Sequence, residues 1–286
     1  MKLVTYRADG SVRHGVLDGD QVSDLGAGDL EALIAAHGDL SGWRPPRDAP
    51  RHRLDAVTLA APLLRPGKLL AVAANYQDHV AEGGGPRIDR SRISPRLFLM
   101  PPTAIAGPGA DIALPDTSGQ VDWEAELVVV VGRGGRDIAA ADALAHVAGY
   151  TAGNDVSARS MDYGYERDTD DKAVWFFDWL AGKWLDGFAA FGPWLVTADE
   201  VPDPQALDVE LDLNGAARQR GSTKDMIFSV AEQIAFASRL MTLEPGDVLF
   251  TGTPAGVGAA SGDYLTSGDE MSVRVTGLGE LVNRVR

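Results

Sequence analysis

Apolar and polar residues alternate loosely from Lys2 to Arg7, which predicts a strand, and Gly15 to Asp18 predicts another after a turn. Asp29 to His37 has the pattern of a helix. Pro45, Pro46, Pro50, Pro62 and Pro66 then interrupt the chain among several arginines, the composition of a connecting segment. The boundary is placed near residue 65, so that residues 1–65 form a small appended α/β unit with its linker and residues 66–286 a larger domain. Within the larger part, apolar runs recur at Lys68 to Ala74, Leu127 to Val131, Trp194 to Thr197 and Val248 to Thr251, separated by glycine, proline or aspartate turns. The run from Glu126 to Val131 does not alternate after its first residue, which fits a strand covered on both faces. Asp225 to Leu240 predicts the best helix, with Met226, Val230, Ile234, Ala237 and Met241 on one stripe. Residues 159–179 read as a long polar excursion with an aromatic end, and loops of that length are usually functional or mobile.

Composition supports a strand-rich α+β chain. Its 33 glycines and 16 prolines speak against an all-helical bundle. A net charge of -15 gives an acidic surface that disfavours nucleic acid or an anionic membrane as partner. An acidic small molecule would need local positive charge, which a divalent cation could supply. The absence of cysteine excludes disulfides, zinc-thiolate clusters and a cysteine nucleophile. The N-terminus lacks the apolar core of a signal peptide and no stretch reaches the length of a membrane span, so a cytoplasmic location is expected.

Asp122-Trp123-Glu124-Ala125-Glu126 leads into the buried strand, and residues two apart on a strand share a face. A solvated strand edge is one reading. The other is that two like charges entering a buried element need a cation. Asp155 could be a third oxygen ligand or part of an ordinary Asn-Asp turn. Three carboxylates without a thiolate would make a hard site, suited to Mg2+ or Mn2+. His79 and Glu82 stand three apart, where a carboxylate can orient an imidazole if the segment is helical; a plain charged helix face has the same spacing. Lys183 is flanked by aromatic residues and could equally be a surface lysine lying over them. Thr251 to Gly258 offers backbone amides and threonine hydroxyls to an anion, or is simply a tight turn; it matches neither the phosphate-loop pattern nor the dinucleotide fingerprint. No G-x-S-x-G elbow is present, which disfavours a serine hydrolase.

In order and spacing, these residues resemble the fumarylacetoacetate hydrolase family. The resemblance is carried by Asn75-Tyr76 with His79 and Glu82, Glu124-Ala125-Glu126, Asn154 to Arg159, Gly182-Lys183, Gly192-Pro193-Trp194, Asn214-Gly215, Met226-Ile227-Phe228, and Leu243 to Val248 leading into Thr251-Gly252-Thr253-Pro254. It covers about residues 66–284, the first part being similar to the small N-terminal domain of longer members. It implies a mixed β-sandwich roll, usually a homodimer, with magnesium or manganese on Glu124, Glu126 and Asp155. His79 and Glu82 match the water-activating dyad of hydrolytic members and Lys183 the lysine beside the metal. Thr253 lies in the turn expected to hold the substrate carboxylate, and Tyr76 and Arg159 are counted with the substrate-binding residues. Two positions depart from the family pattern: Met100 stands where many relatives have lysine, and Asp162 where they often have glutamine. Both are expected to face the distal part of the substrate.

The implied reaction is hydrolysis of a carbon-carbon bond in an acylpyruvate-type 2,4-diketo acid, with chelation of the 2-oxo acid end stabilising the departing enolate. Decarboxylation or isomerisation of a 2-oxo diacid would use the same enolate without attacking water. A non-catalytic protein that binds metal and 2-oxo acid is a third possibility, disfavoured by the retention of His79, Glu82 and Lys183.

Overall fold

The computed structural model describes residues 1–40 and 42–286. The strand Ala125–Val131 lies at its centre and every residue in it is buried. Period-two geometry explains how: Ala125, Leu127, Val129 and Val131 enter one core cluster, while Val128 and Val130 enter another on the opposite face. After Glu126 the strand therefore reads as an unbroken apolar run, as its sequence predicts.

This strand belongs to a twelve-stranded sheet whose main path runs Arg51–Arg53, Gln21–Ala27, Ser11–Asp18, Lys2–Ala8, Ala189–Thr197, Val147–Asp155, Ala125–Val131, Val248–Phe250, Leu69–Ala73 and Arg96–Met100. Most neighbours are antiparallel; Val248–Phe250 and Leu69–Ala73 run parallel. A five-stranded sheet built on Asp208–Leu213 and Glu270–Val275 covers one face of the centre, its Val209, Leu211 and Val273 sharing a cluster with Leu127 and Val129. The helix Glu31–His37 packs on the other face, with Ile34 in the cluster of Val128 and Phe250.

Among the described residues, 1–65, expected as an appended unit, form no sheet of their own. Lys2–Ala8 pairs with Ala189–Thr197, and Leu3 and Leu30 pack with Val128 and Phe250, so the N-terminal strands extend the main sheet and share its core. The long helix is shorter than its stripe suggests: it spans Val230–Leu240 and is started by Ser229, whose side chain and that of Glu232 form a reciprocal capping box. Met226 precedes it in a bridge with Tyr76, and the N–H groups of Ile227 and Phe228 donate to the Asn75 carbonyl and Oδ1 at 2.7 and 2.9 Å. Part of the polar excursion is also helical, Lys172–Ala181, with Asp171 accepting from the Ala173 N–H as its cap. Among the described residues no helix is long and apolar enough to cross a membrane.

Candidate metal centre and catalytic cavity

Ala125–Val131 pairs with Val147–Asp155 so that Glu126 faces Gly153 and Ala125 faces Asn154. This register brings the ends of the two strands, with Glu124 and Asp155, side by side. Asn154 secures the approach by accepting the Glu124 N–H on its Oδ1 at 2.9 Å. Gly153 is required here, since a Cβ would meet Val128 Cγ2 at 2.4 Å and Phe250 Cε1 at 2.8 Å. Glu124, Glu126 and Asp155 are buried and offer carboxylate oxygens all within 4.8 Å of one another.

Lys183 is not a surface residue. It is 2% exposed, and its Nζ donates at 2.7 Å to both Glu124 Oε2 and Asp155 Oδ2. Arg159 donates from Nη2 to Glu124 Oε1 at 2.6 Å and from Nε to Asp122 Oδ2 at 2.9 Å. Four buried carboxylates thus face two cations, an excess of negative charge that matches one divalent ion. The deficit is unevenly shared. Burial pushes the Glu124 carboxyl up, but Lys183 and Arg159 outweigh it and hold it at about 2. Burial and the repulsion of Glu124 raise Asp155 to about 6 despite its contact with Lys183. Glu126 has no cation of its own. Burial, Asp155 and Glu124 drive it well above its ordinary 4.5, against the pull of Lys183 and the Gly252 N–H donated to its Oε2 at 2.7 Å. The Oδ1 of Asp155 is buried without a hydrogen-bond partner. An orphaned carboxylate oxygen beside an undercompensated glutamate is the arrangement expected where a hard cation completes the site.

The surrounding backbone is fixed by residues with few alternatives. Gly252 has φ +98°, and a Cβ there would meet Asn75 Cβ at 2.6 Å. Asn75 itself is buried and donates to the carbonyls of Phe228 and Thr251 at 3.0 and 2.9 Å, tying the Tyr76 segment to the turn. Thr253 donates to the Ala125 carbonyl at 2.9 Å and accepts from Gln219 Nε2 at 2.8 Å. Gln219 also accepts the Ala125 N–H at 2.8 Å, so one buried glutamine joins both sides of the cradle.

The short helix Gln77–Glu82 brings His79 and Glu82 together, with Nδ1 2.7 Å from Glu82 Oε1. The other oxygen of Glu82 accepts the Gly256 N–H at 2.7 Å, which fixes the carboxylate before it orients the ring. His79, Glu124, Glu126, Asp155, Lys183 and Thr253 all line one cavity of about 540 Å³, as does Arg159. The lining also includes Leu97 and Phe98 and, from the helix Lys172–Ala181, Trp175, Phe176 and Trp179.

Three expected substrate-binding residues lie elsewhere. Met100 is 3% exposed and packs in the core cluster beneath the sheet, because its strand carries it past the cavity rim. Asp162 is exposed and accepts the Gly164 N–H at 2.8 Å, off the cavity lining. Tyr76 is fully buried in the core, its hydroxyl held protonated by burial and by the nearby Glu126. A further cation in the lining is Arg96, on the same strand as Met100. Sequence reasoning missed it, along with Gln219 and Asp122. Asp122 accepts the Trp123 and Gly258 N–H groups on Oδ1 at 2.8 and 2.6 Å besides holding Arg159. The clue for Asp122 was its place two residues before Glu124; a glutamine between two arginines gave none for Gln219.

Residues 68–286 match the fumarylacetoacetate (FAA) hydrolase C-terminal family. The chain belongs to the fumarylacetoacetate hydrolase family. Fumarylacetoacetate hydrolase from psychrophilic Exiguobacterium antarcticum is 37% identical, with a TM-score of 0.81 over 100% of this chain and 99% of that one. The 2-hydroxyhepta-2,4-diene-1,7-dioate isomerase from Mycobacterium marinum is 32% identical, with a TM-score of 0.78 over 100% and 98%. Maleylpyruvate hydrolase from Sphingobium sp. SYK-6, solved in complex with manganese(II) ion and pyruvate, is 30% identical, with a TM-score of 0.77 over 100% and 98%. The strand-rich α+β fold is that of the family, and its acidic triad suits a divalent cation.

Proposed function

We propose that this chain is a divalent-metal-dependent hydrolase that cleaves the carbon-carbon bond of an acylpyruvate-type 2,4-diketo acid. The observation that carries the reading is the pairing of two functions in one cavity: a carboxylate cradle for a hard cation, and a His79–Glu82 dyad facing the same space. Glu124, Glu126 and Asp155 would hold Mg2+ or Mn2+, which supplies Lewis acidity and chelation for the 2-oxo acid end of the substrate. Lys183 and Arg159 keep Glu124 ionised and aimed, and Lys183 does the same for Asp155.

Glu82 accepts the Nδ1 proton of His79, leaving Nε2 free to take a proton from water as that water adds to the distal carbonyl. The bond between that carbonyl carbon and the adjacent methylene then breaks. Its electron pair passes to the methylene as the enolate of pyruvate, and the imidazolium returns its proton to that carbon. The products are one carboxylic acid and one pyruvate for each water consumed. The substrate is a small anion in this reading, and the acidic exterior gives no purchase to nucleic acid.

The test is a panel of 2-oxo and 2,4-diketo acids assayed with magnesium and with manganese, scoring pyruvate, carboxylic acid and carbon dioxide separately. Equal yields of pyruvate and carboxylic acid without carbon dioxide are expected. Carbon dioxide release without a carboxylic acid product would replace hydrolysis by decarboxylation on the same site. An ultraviolet change with neither product would indicate isomerisation.

A further inference from the structure

The apolar wall of the cavity is built from rings that the reaction itself does not require. Trp175 and Phe176 remain 64% and 47% exposed although both line the cavity. Phe176 stacks on Trp179 with centroids 6.1 Å apart, and Phe98 meets Trp179 edge to face at 5.1 Å. The helix that presents them is braced. Arg167 pairs with Asp178 within it, Nη1 to Oδ1 2.6 Å, and also donates to the Met161 carbonyl at 2.9 Å. The same cavity is lined by the carboxylate cradle, whose Lys183 and Arg159 are already committed to carboxylates. A ligand anchored at the carboxylates by its 2-oxo acid end would bring its acyl group to a lining that carries one further cation, Arg96, and is otherwise mostly apolar, the rings included. Wide-open aromatic faces on a firm support match a flat apolar group, which gains both burial and ring contacts there, more than a methyl or a short polar chain.

We propose that the site selects acylpyruvates whose acyl group is an aromatic ring, held against Trp175, Phe176 and Trp179. The proposal rests on the hydrolase reading for its substrate, and its test separates the two. Manganese-loaded protein is assayed with 2,4-dioxo-4-phenylbutanoate and with 2,4-dioxopentanoate, which differ only in phenyl against methyl. The phenyl compound is expected to have the higher kcat/KM by about tenfold or more, mainly through KM. The Trp175→Ala/Phe176→Ala double variant brings this ratio close to one. Phe177→Ala, on the same helix but off the cavity, moves it less than about twofold. Equal or better turnover of the methyl compound, or a ratio that the double variant leaves untouched, overturns the proposal. So does a double variant whose only change is in self-association, since the rings would then serve contact between copies.

If neither diketo acid is cleaved, the hydrolase reading fails and the subsite is decided by binding. The uncleavable 2-oxo-4-phenylbutanoate must then quench tryptophan fluorescence of the manganese-loaded protein at a concentration about tenfold lower than 2-oxopentanoate. Equal half-saturation overturns the subsite as well.

Discussion

Replacing Glu126 by glutamine should stabilise the metal-free protein while weakening its hold on metal. Without an ion, the native state keeps a proton on Glu126, because burial and the charges of Asp155 and Glu124 lift its carboxyl well above the 4.5 it has when unfolded. Between pH 4.5 and that raised value, the native state binds a proton that the unfolded chain has released. Stability therefore falls as pH rises, by about 1.4 kcal/mol per pH unit for one group. The loss accumulates from 4.5 up to that raised value. Glutamine removes it, and its amide oxygen can still accept the Gly252 N–H that Glu126 Oε2 now accepts. At pH 7 the metal-free variant should melt above the wild type. Asp155, raised from 3.8 to about 6, adds a pH slope of the same sign that ends near pH 6 and survives in the variant. With manganese the order reverses, since losing one of three carboxylates should weaken binding about a hundredfold or more. Calorimetric melts from pH 4.5 to 8, with and without chelator, check both halves. A metal-free Glu126→Gln protein that melts below the wild type at pH 7, with the same pH slope, would refute the account of uncompensated charge.

Chelator treatment should abolish turnover, and readdition of magnesium or manganese should restore it; undiminished activity in chelator would remove the metal from the reaction. His79→Ala should lower hydrolysis by about 10²- to 10⁴-fold and Glu82→Gln by less, both with unaltered manganese affinity by titration calorimetry. A collapse of metal binding in His79→Ala would make that residue part of the cradle. Arg159→Ala leaves Asp122 and Glu124 without their guanidinium partner and should cost about 3–5 kcal/mol in urea denaturation, which an unchanged midpoint would contradict. Gly182→Ala places a Cβ 2.1 Å from the Ala158 carbonyl oxygen, so the start of the Lys183 segment must shift; kcat should fall with little change in affinity for 2-oxo acids, and wild-type kinetics would show that the segment yields freely.

The carboxylate triad could be anticipated because strand periodicity and charge conflict visibly at Glu124 and Glu126, and that conflict has few solutions. The spacing of His79 and Glu82 suited a charged helix face equally well; the family resemblance pointed to a pair, and the structure brings the two side chains into contact. Burial of Lys183 was not legible, because aromatic neighbours in sequence suit a covered surface lysine equally well. Met100 illustrates a different limit. A family pattern assigns a position to the substrate, but Met100 stands four residues along its strand from Arg96, on the same face, and there the side chain packs into the core while Arg96 reaches the cavity. The N-terminal residues were read as a separate unit because prolines mark a linker. Nothing local to Lys2–Ala8 reveals that its free edge pairs with Ala189–Thr197 far along the chain. Gln219 is the plainest case, its burial being set wholly by what the sheets bring around it.

The central strands carry the carboxylate cradle at their ends and are enclosed on both faces, whereas the dyad rides on a six-residue helix with no buried residue. Amide hydrogens of the cradle should exchange only through global unfolding, and those of the dyad helix through brief local openings. The two halves of one reaction centre thus live on separate clocks. A bound ion can outlast many cycles of substrate entry, because opening the dyad side disturbs none of the hydrogen bonds that align its ligands. Mutational drift can likewise remodel the aromatic part of the cavity lining without loosening the carboxylate cradle.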